Sequence, residues 1–288
     1  MKQIKSLYTL IPKTDIHVGA GGEVAGIIDN LIQRNSTTGF PCIHSSSLKG
    51  ALKQHCYHNG MTSEEMKTIF GSDISRNIES DNDNLTNAVK DESIQGNTAF
   101  GQAELLALAV PSDKTMFLLL TSPEVLDLYL ENLKINGLNI SDIKHLIHKI
   151  NSVDKIITQA YAGAITPLNN PIGNQSVDFN ENEKILLKSI FGEHYSRLAI
   201  ISNERYIELT SDFYLPVAAH NALEDGKSDN LFYTQSLPML SVCYFINVSK
   251  NEIEEKSLND KIELGLVHIG ANFSTSQGFC KINQVKLL

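Results

Sequence analysis

Asp29 and His17 are the residues of this sequence best placed to do chemistry. Asp29 follows the glycine-rich stretch Gly19-Ala-Gly-Gly22 in a polar loop, where a carboxylate without a partner faces solvent. Such a carboxylate can ligate a divalent cation or help activate a hydroxyl; an Asx-turn with neighbouring amides is the structural alternative. His17 stands at the end of a strand-like run. An imidazole there can move a proton near neutral pH or fix a phosphate, and it can equally pack and bond a carbonyl. Asp15 and Glu23 are close enough in sequence to join Asp29 around a metal ion.

Two further stretches are suited to anions. Leu48, Ala51, Leu52, His55 and Cys56 recur with helical spacing, and Ser45, Ser46 and Ser47 before them are N-cap candidates. The start of that helix offers free amides and partial positive charge. Lys49 lies within its first turns, where a cation opposes the dipole and therefore suggests a negative partner. Near the C-terminus, Gly270 and Gly278 bracket Asn272, Ser274, Thr275 and Ser276, whose amides and hydroxyls can hold phosphates without net charge. Arg34 is a further candidate cation, and one of only four arginines.

The elements that must position these groups read as a mixed α+β chain. Ile4 to Ile11 has strand character, and Thr62-Ser-Glu-Glu65 has capping-box spacing ahead of Met66, Ile69 and Phe70. Residues 72–97, rich in asparagine and acids, read as a solvated, mobile insertion. Strands are expected over Thr98 to Val110 and Thr115 to Leu120, then helices from Pro123 and Ser141. Leu198 to Ile201, Tyr206 to Thr210, Leu237 to Val248, Leu264 to Ile269 and Phe279 to Leu287 read as further strands. Asn221 to Asn230 reads as the tip of a long hairpin turning at Asp225-Gly226. Strands and helices do not alternate as a parallel doubly wound sheet requires, so sheets with helices on one face, as in ferredoxin-like domains, fit better.

Composition sets limits. The 288 residues, 42% of them hydrophobic, can bury a substantial core. No apolar run reaches the length of a membrane span, and the N-terminus alternates instead of forming a leader, which points to a cytoplasmic protein with no membrane partner. Cys42, Cys56, Cys243 and Cys280 show no CxxC pair and are expected to be buried small hydrophobes. A net charge of −9 excludes binding a polyanion by bulk charge, so any such path must be built locally.

Asp15-Ile-His-Val-Gly-Ala-Gly-Gly22, Ile28-Asp-Asn-Leu-Ile-Gln-Arg34, Thr38-Gly-Phe-Pro41 and Ser45-Ser-Ser-Leu-Lys-Gly-Ala-Leu52 follow one another in this order. Together they resemble the N-terminal signature of the repeat-associated (RAMP) superfamily, and within it the multi-copy backbone subunit of the type III-B CRISPR (Cmr) effector. Gly270 to Gly278 resembles that superfamily's glycine-rich loop. Phe100-Gly-Gln-Ala-Glu-Leu-Leu106 and Asn230-Leu-Phe-Tyr-Thr-Gln-Ser-Leu-Pro238 resemble its central strand and thumb. Where the family often carries acidic residues after the thumb aromatic, this chain reads Tyr233-Thr-Gln235.

The resemblance implies a single domain over residues 1–288, an RRM-type ferredoxin-like palm with an inserted helical region and a β-hairpin thumb over 214–238. It implies that several copies stack on one guide RNA beside other effector subunits. Ser45, Ser46, Ser47, Lys49, Arg34, Gly19, Gly270, Asn272, Ser274, Thr275 and Gly278 would contact RNA, and Phe232 and Tyr233 would wedge between guide and target. Asp29 would support metal-dependent cutting of the target RNA, with Mg2+ or another divalent cation bound only with RNA and His17 as a second catalytic candidate. Three alternatives stay open: a filament subunit that does not cut, a stand-alone guide-processing endoribonuclease centred on His17, and a small-molecule phosphate enzyme using the same glycine loops.

Overall fold

The computed structural model describes residues 3–21, 27–72, 94–151, 155–156, 164–165, 170–171, 176–224 and 227–286. In chain order the strands are β1 (Ile4–Pro12), β2 (Cys42–Ile43), β3 (Thr98–Phe100), β4 (Ala103–Pro111), β5 (Phe117–Thr121), β6 (Lys155–Ile156), β7 (Ala164–Ile165), β8 (Asn170–Pro171), β9 (Leu198–Ile200), β10 (Val217–Glu224), β11 (Lys227–Gln235), β12 (Val242–Ser249), β13 (Val267–His268) and β14 (Phe279–Gln284). The helices are α1 (Ser45–His58), α2 (Ser63–Phe70), α3 (Pro123–Ile135), α4 (Ser141–Ile150), α5 (Glu181–Phe191), α6 (Asn203–Leu209) and α7 (Glu252–Ile262).

The main sheet runs β13-β14-β1-β12-β4-β5-β9-β6, with β2 edging onto β4 and β3 onto β12. Its core order, β14-β1-β12-β4, is antiparallel throughout. Helix α1 lies in the connection from β1 to β4, and α7 in that from β12 to β14. This is the βαββαβ plan of a ferredoxin-like domain, as the sequence led us to expect. The connection from β5 to β12 carries the helices α3 to α6 and the hairpin β10–β11.

β1 is central because it is apolar on both faces: Leu7, Tyr8, Leu10 and Ile11 are all buried. Tyr8 stacks on Phe245 of β12 at 5.0 Å and donates its hydroxyl to Glu255 of α7 at 2.8 Å. Ser249 donates to the other carboxylate oxygen of Glu255 at 3.1 Å, and its hydroxyl meets that of Thr98 on β3. One buried polar chain thus pins α7 to three strands, as a buried carboxylate requires. Helix α1 buries Leu48, Leu52 and Cys56, the i, i+4, i+8 stripe seen in the sequence. Thr62 and Glu65 form the expected capping box.

Several expectations change. Residues 206–210, read as a strand, belong to α6: Ser202 caps it by accepting from the Arg205 amide, and Tyr206 and Leu209 are buried on one face three residues apart. Helices α5 and α7 were missed, although Asn180 with Glu183 forms a capping box and Asn251 accepts from the amides of Ile253 and Glu254. Residues 73–93 of the expected insertion, and the turn at Asp225-Gly226, lie outside the described residues. All four cysteines are buried thiols, and burial pushes Cys42 and Cys56 up to about 12. Among the described residues no helix is long and apolar enough to cross a membrane.

Removing the Tyr8 hydroxyl leaves Glu255 short of a partner, so Tyr8→Phe is expected to cost about 1–3 kcal/mol in equilibrium urea unfolding. Burial also raises the phenols of Tyr8, Tyr129, Tyr206 and Tyr244, the last to about 12. A raised folded value means that unfolded phenols ionise first. Stability is therefore full below about pH 10 and falls above it, which a urea series across pH 9–11.5 checks.

Candidate functional site

After β1 the chain runs as an extended segment from Lys13 to Gly21 whose main-chain groups are shared among three distant stretches. Ile16 exchanges hydrogen bonds with Leu237, at 3.0 and 2.9 Å. The carbonyls of Asp15 and His17 accept from the amides of Gly278 and Ala271. The carbonyl of Val18 accepts from Gln33, and the amide of Ala20 donates to Leu31. The glycine-rich stretch, the Asp29 segment, the hairpin base and the Gly270–Gly278 loop therefore meet, although they lie more than 200 residues apart at the extremes.

Asp29 is exposed and held against β11. Its amide donates to the Tyr233 carbonyl at 3.1 Å, and its Oδ2 accepts from the Tyr233 amide at 2.7 Å. The expected alternative of a turn with neighbouring amides does not describe this bond, which spans 204 positions. Oδ1 makes no hydrogen bond among the described residues. Asp15 does not join Asp29: its Oδ1 accepts from the Met239 amide at 2.8 Å. Glu23 lies outside the described residues. Among those described, no group of three or more histidine, cysteine or acidic side chains could hold a metal ion. The residues present thus fit a cation only if a ligand such as phosphate supplies most of its oxygens.

His17 is buried, and its Nδ1 lies 2.6 Å from the Gln235 carbonyl. A carbonyl only accepts, so Nδ1 carries the proton. A Cβ built on Gly19 would sit 3.3 Å from Nε2, so that glycine closes directly over the ring.

Ser45, Ser46 and Ser47 are not the N-cap of α1. His44 holds that place without a side-chain bond, and the serines form the first turn. Ser45 and Ser46 are exposed, whereas the Ser47 hydroxyl accepts from Gln33 at 3.0 Å. Gln33 also donates to the Gly19 carbonyl and accepts from the His44 amide at 2.7 Å. Lys49 makes no hydrogen bond or ion pair among the described residues. Arg34 is the opposite case: Nε and Nη2 both donate to Asp212 Oδ1, and Nη1 donates to the carbonyls of Gly39 and Thr210. Four of its five N–H groups are spent inside the protein, so it braces the loop instead of offering a free charge.

In the Gly270–Gly278 loop, Asn272 and Ser276 take left-handed backbone angles around a short helical turn. Asn272 donates to the side chain of Gln277, and the Thr275 hydroxyl donates to the Asn272 carbonyl. Those two residues secure the loop, while Ser274 and Ser276 stay exposed. Phe273 is exposed and meets His268 edge-on at 5.0 Å. On the hairpin, Phe232 stacks with His220 across the strands at 5.1 Å, which occupies one of its faces. Tyr233 is half-buried. Sequence reasoning missed Gln33 and Gln235, the two buried amides that tie these pieces together; the available signal was a glutamine set beside apolar strand-forming residues.

Gly270 has φ +91°, and a Cβ there would fall 2.2 Å from the His17 carbonyl oxygen. Gly270→Ala must move one strand off the other, with an expected cost of about 1–3 kcal/mol by urea unfolding.

Comparison with known proteins agrees with this architecture. The CRISPR system Cmr endoribonuclease Cmr4 of Pyrococcus furiosus is 24% identical over 301 aligned residues, spanning 96% of this chain and 93% of that protein. The fold is shared with a subunit of the type III-B Cmr-beta complex bound to cognate target RNA: TM-score 0.72, 17% identity, 98% of this chain and 97% of that one. It is shared also with oligomeric Cmr4 from Pyrococcus furiosus: TM-score 0.65, 19% identity, 99% of this chain and 98% of that one. The family model described as the RAMP superfamily matches residues 9–264, from within β1 to just past α7, and the chain belongs to that superfamily.

Proposed function

We propose that this chain is the repeated backbone subunit of a type III-B, RNA-guided effector, which grips guide RNA and cuts the target RNA paired with it. The observation that carries the reading is the exposed residue Asp29, fixed on the base of the hairpin by one carboxylate and one main-chain hydrogen bond to Tyr233. The relatives support it: one is an endoribonuclease of a Cmr system, and others are subunits of a Cmr complex with target RNA and of an oligomer.

The guide is held by local contacts, which suits a protein of net charge −9. The first turn of α1 supplies amides and the hydroxyls of Ser45 and Ser46, and Lys49 supplies a cation with no hydrogen bond or ion pair among the described residues. Across the site, Gly270 and Ser274 supply a second backbone and hydroxyl surface, while Gly278 is buried with its amide on the Asp15 carbonyl and its carbonyl on the Ile269 amide. These groups read phosphate and sugar, so sequence selection falls to base pairing. The hairpin, with Leu231 exposed and Phe232 and Tyr233 half-buried, separates paired segments beside Asp29.

For cutting, a 2′-hydroxyl of the target attacks the adjacent phosphorus and loses its proton, and the 5′-oxygen departs and takes a proton from water, to give a cyclic phosphate and a 5′-hydroxyl. In this reading Asp29 Oδ1 receives that proton or orients the hydroxyl. Mg2+ bound by Asp29 together with RNA phosphate would supply charge for the phosphorane-like transition state. His17, buried and bonded through Nδ1 to the Gln235 carbonyl, holds the segment in place. A subunit that binds without cutting is the second reading, favoured by the absence of a carboxylate in Tyr233-Thr-Gln235.

Guide-loaded complex is to be incubated with complementary or scrambled target, with Mg2+ or chelator. The expected result is cuts at regular intervals in complementary target with Mg2+ only, leaving cyclic phosphate ends. Intact target, with the complex bound to it, would select the second reading. Lys49→Ala is expected to weaken guide binding and to lower the slope of log affinity against log salt by about one unit per subunit, measured by titration over a salt series.

A further inference from the structure

Gln235 is 0% exposed, and its hydrogen-bonding groups reach three parts of the site. Its amide donates to the Asn30 carbonyl at 2.9 Å, and its carbonyl accepts from His17 Nδ1 at 2.6 Å. The side-chain Oε1 accepts from the Ile32 amide at 3.3 Å, and Nε2 donates to Asp212 Oδ1 at 3.0 Å. Asp212 in turn is paired with Arg34 at 2.7 Å. The segment bearing Asp29 is therefore bound at Asn30 and Ile32 by one buried residue. Through His17, whose carbonyl accepts from Ala271, the same residue is linked to the Gly270–Gly278 loop.

We propose that Gln235 is the positioning residue for target cleavage, acting through Asn30 and Ile32 to fix the carboxylate of Asp29. The proposal rests on the reading of Asp29 as the catalytic group. Full burial keeps Gln235 from touching RNA, so its effect is transmitted through the loop. The amide meets both demands of the site: an acceptor for the Ile32 N–H and a donor to the Asp212 carboxylate. A methionine fills the same space with neither. An ionised glutamate accepts but cannot donate, and sets a second negative charge against Asp212. Misplacing a reacting group by about an ångström is enough to cost on the order of a hundredfold in rate.

The test uses guide-loaded complexes carrying Gln235→Met, Gln235→Glu or Asp29→Ala, compared with wild type for melting temperature, target affinity and single-turnover cutting. Gln235→Met is expected to assemble and to bind target within about twofold of wild type while cutting about ten- to a hundredfold more slowly. That split separates positioning from a purely structural role, which would lower assembly or binding together with cutting. Gln235→Glu, closer in shape, decides the matter in the same way if Gln235→Met does not assemble. Wild-type cutting by the deciding variant while Asp29→Ala is inactive overturns the role of Gln235 alone. Failure of both Gln235 variants to assemble, or loss of target binding, makes the residue structural and overturns the proposal too. Wild-type cutting by Asp29→Ala overturns the reading on which the proposal rests.

Discussion

The main chain from Asp15 to Ala20 has to satisfy three neighbours at once, and the site exists because it does. Buried amides and carbonyls without partners cost about 1–3 kcal/mol each, so a segment placed between the hairpin base, the Asp29 stretch and the Gly270–Gly278 loop fixes all three together. None of these contacts is part of the ten-stranded sheet; they are single bridges such as Ile16 to Leu237 and Gly19 to Ile32. The ferredoxin-like frame supplies the anchor. β1, locked between β12 and β14, delivers the segment to the same place in every folded molecule.

Much of the frame was legible in the sequence because its determinants are local. The apolar run of β1, the stripe Leu48–Leu52–Cys56 and the capping box at Thr62 each announce their structure within a few residues. Asp29 and the glycine loop were legible as chemistry, from a carboxylate after glycines and hydroxyls between glycines. What stayed hidden was non-local. Arg34 read as a free cation until Asp212, 178 positions away, took two of its N–H groups. The Asp29 carboxylate finds its partner 204 positions along the chain. Helix α6 was mistaken for a strand because Tyr206-Ile-Glu-Leu-Thr210 alternates, and only the Ser202 cap and burial of Tyr206 with Leu209 show the helical period.

An acidic protein can handle an anionic polymer when its donors are uncharged and well placed. In the proposed site the donors are the exposed hydroxyls of Ser45, Ser46, Ser274 and Ser276, with Lys49 as a cation that has no internal partner among the described residues. Such donors bind phosphate in a fixed direction and with a weak dependence on salt compared with a lysine-rich surface. The arginine that could have added charge is spent as a brace, which trades affinity for rigidity where the hairpin meets the loop.

Asp29→Asn isolates the central claim, because an asparagine oxygen can still accept from the Tyr233 amide while the charge is gone. The measurement is single-turnover cutting of bound, guide-paired target by the Asp29→Asn complex. Cutting lost by at least about a hundredfold with target affinity unchanged is the expected result, since general base catalysis and metal binding both need the charge. Cutting at the wild-type rate would contradict it and leave Asp29 as a structural clamp on the hairpin.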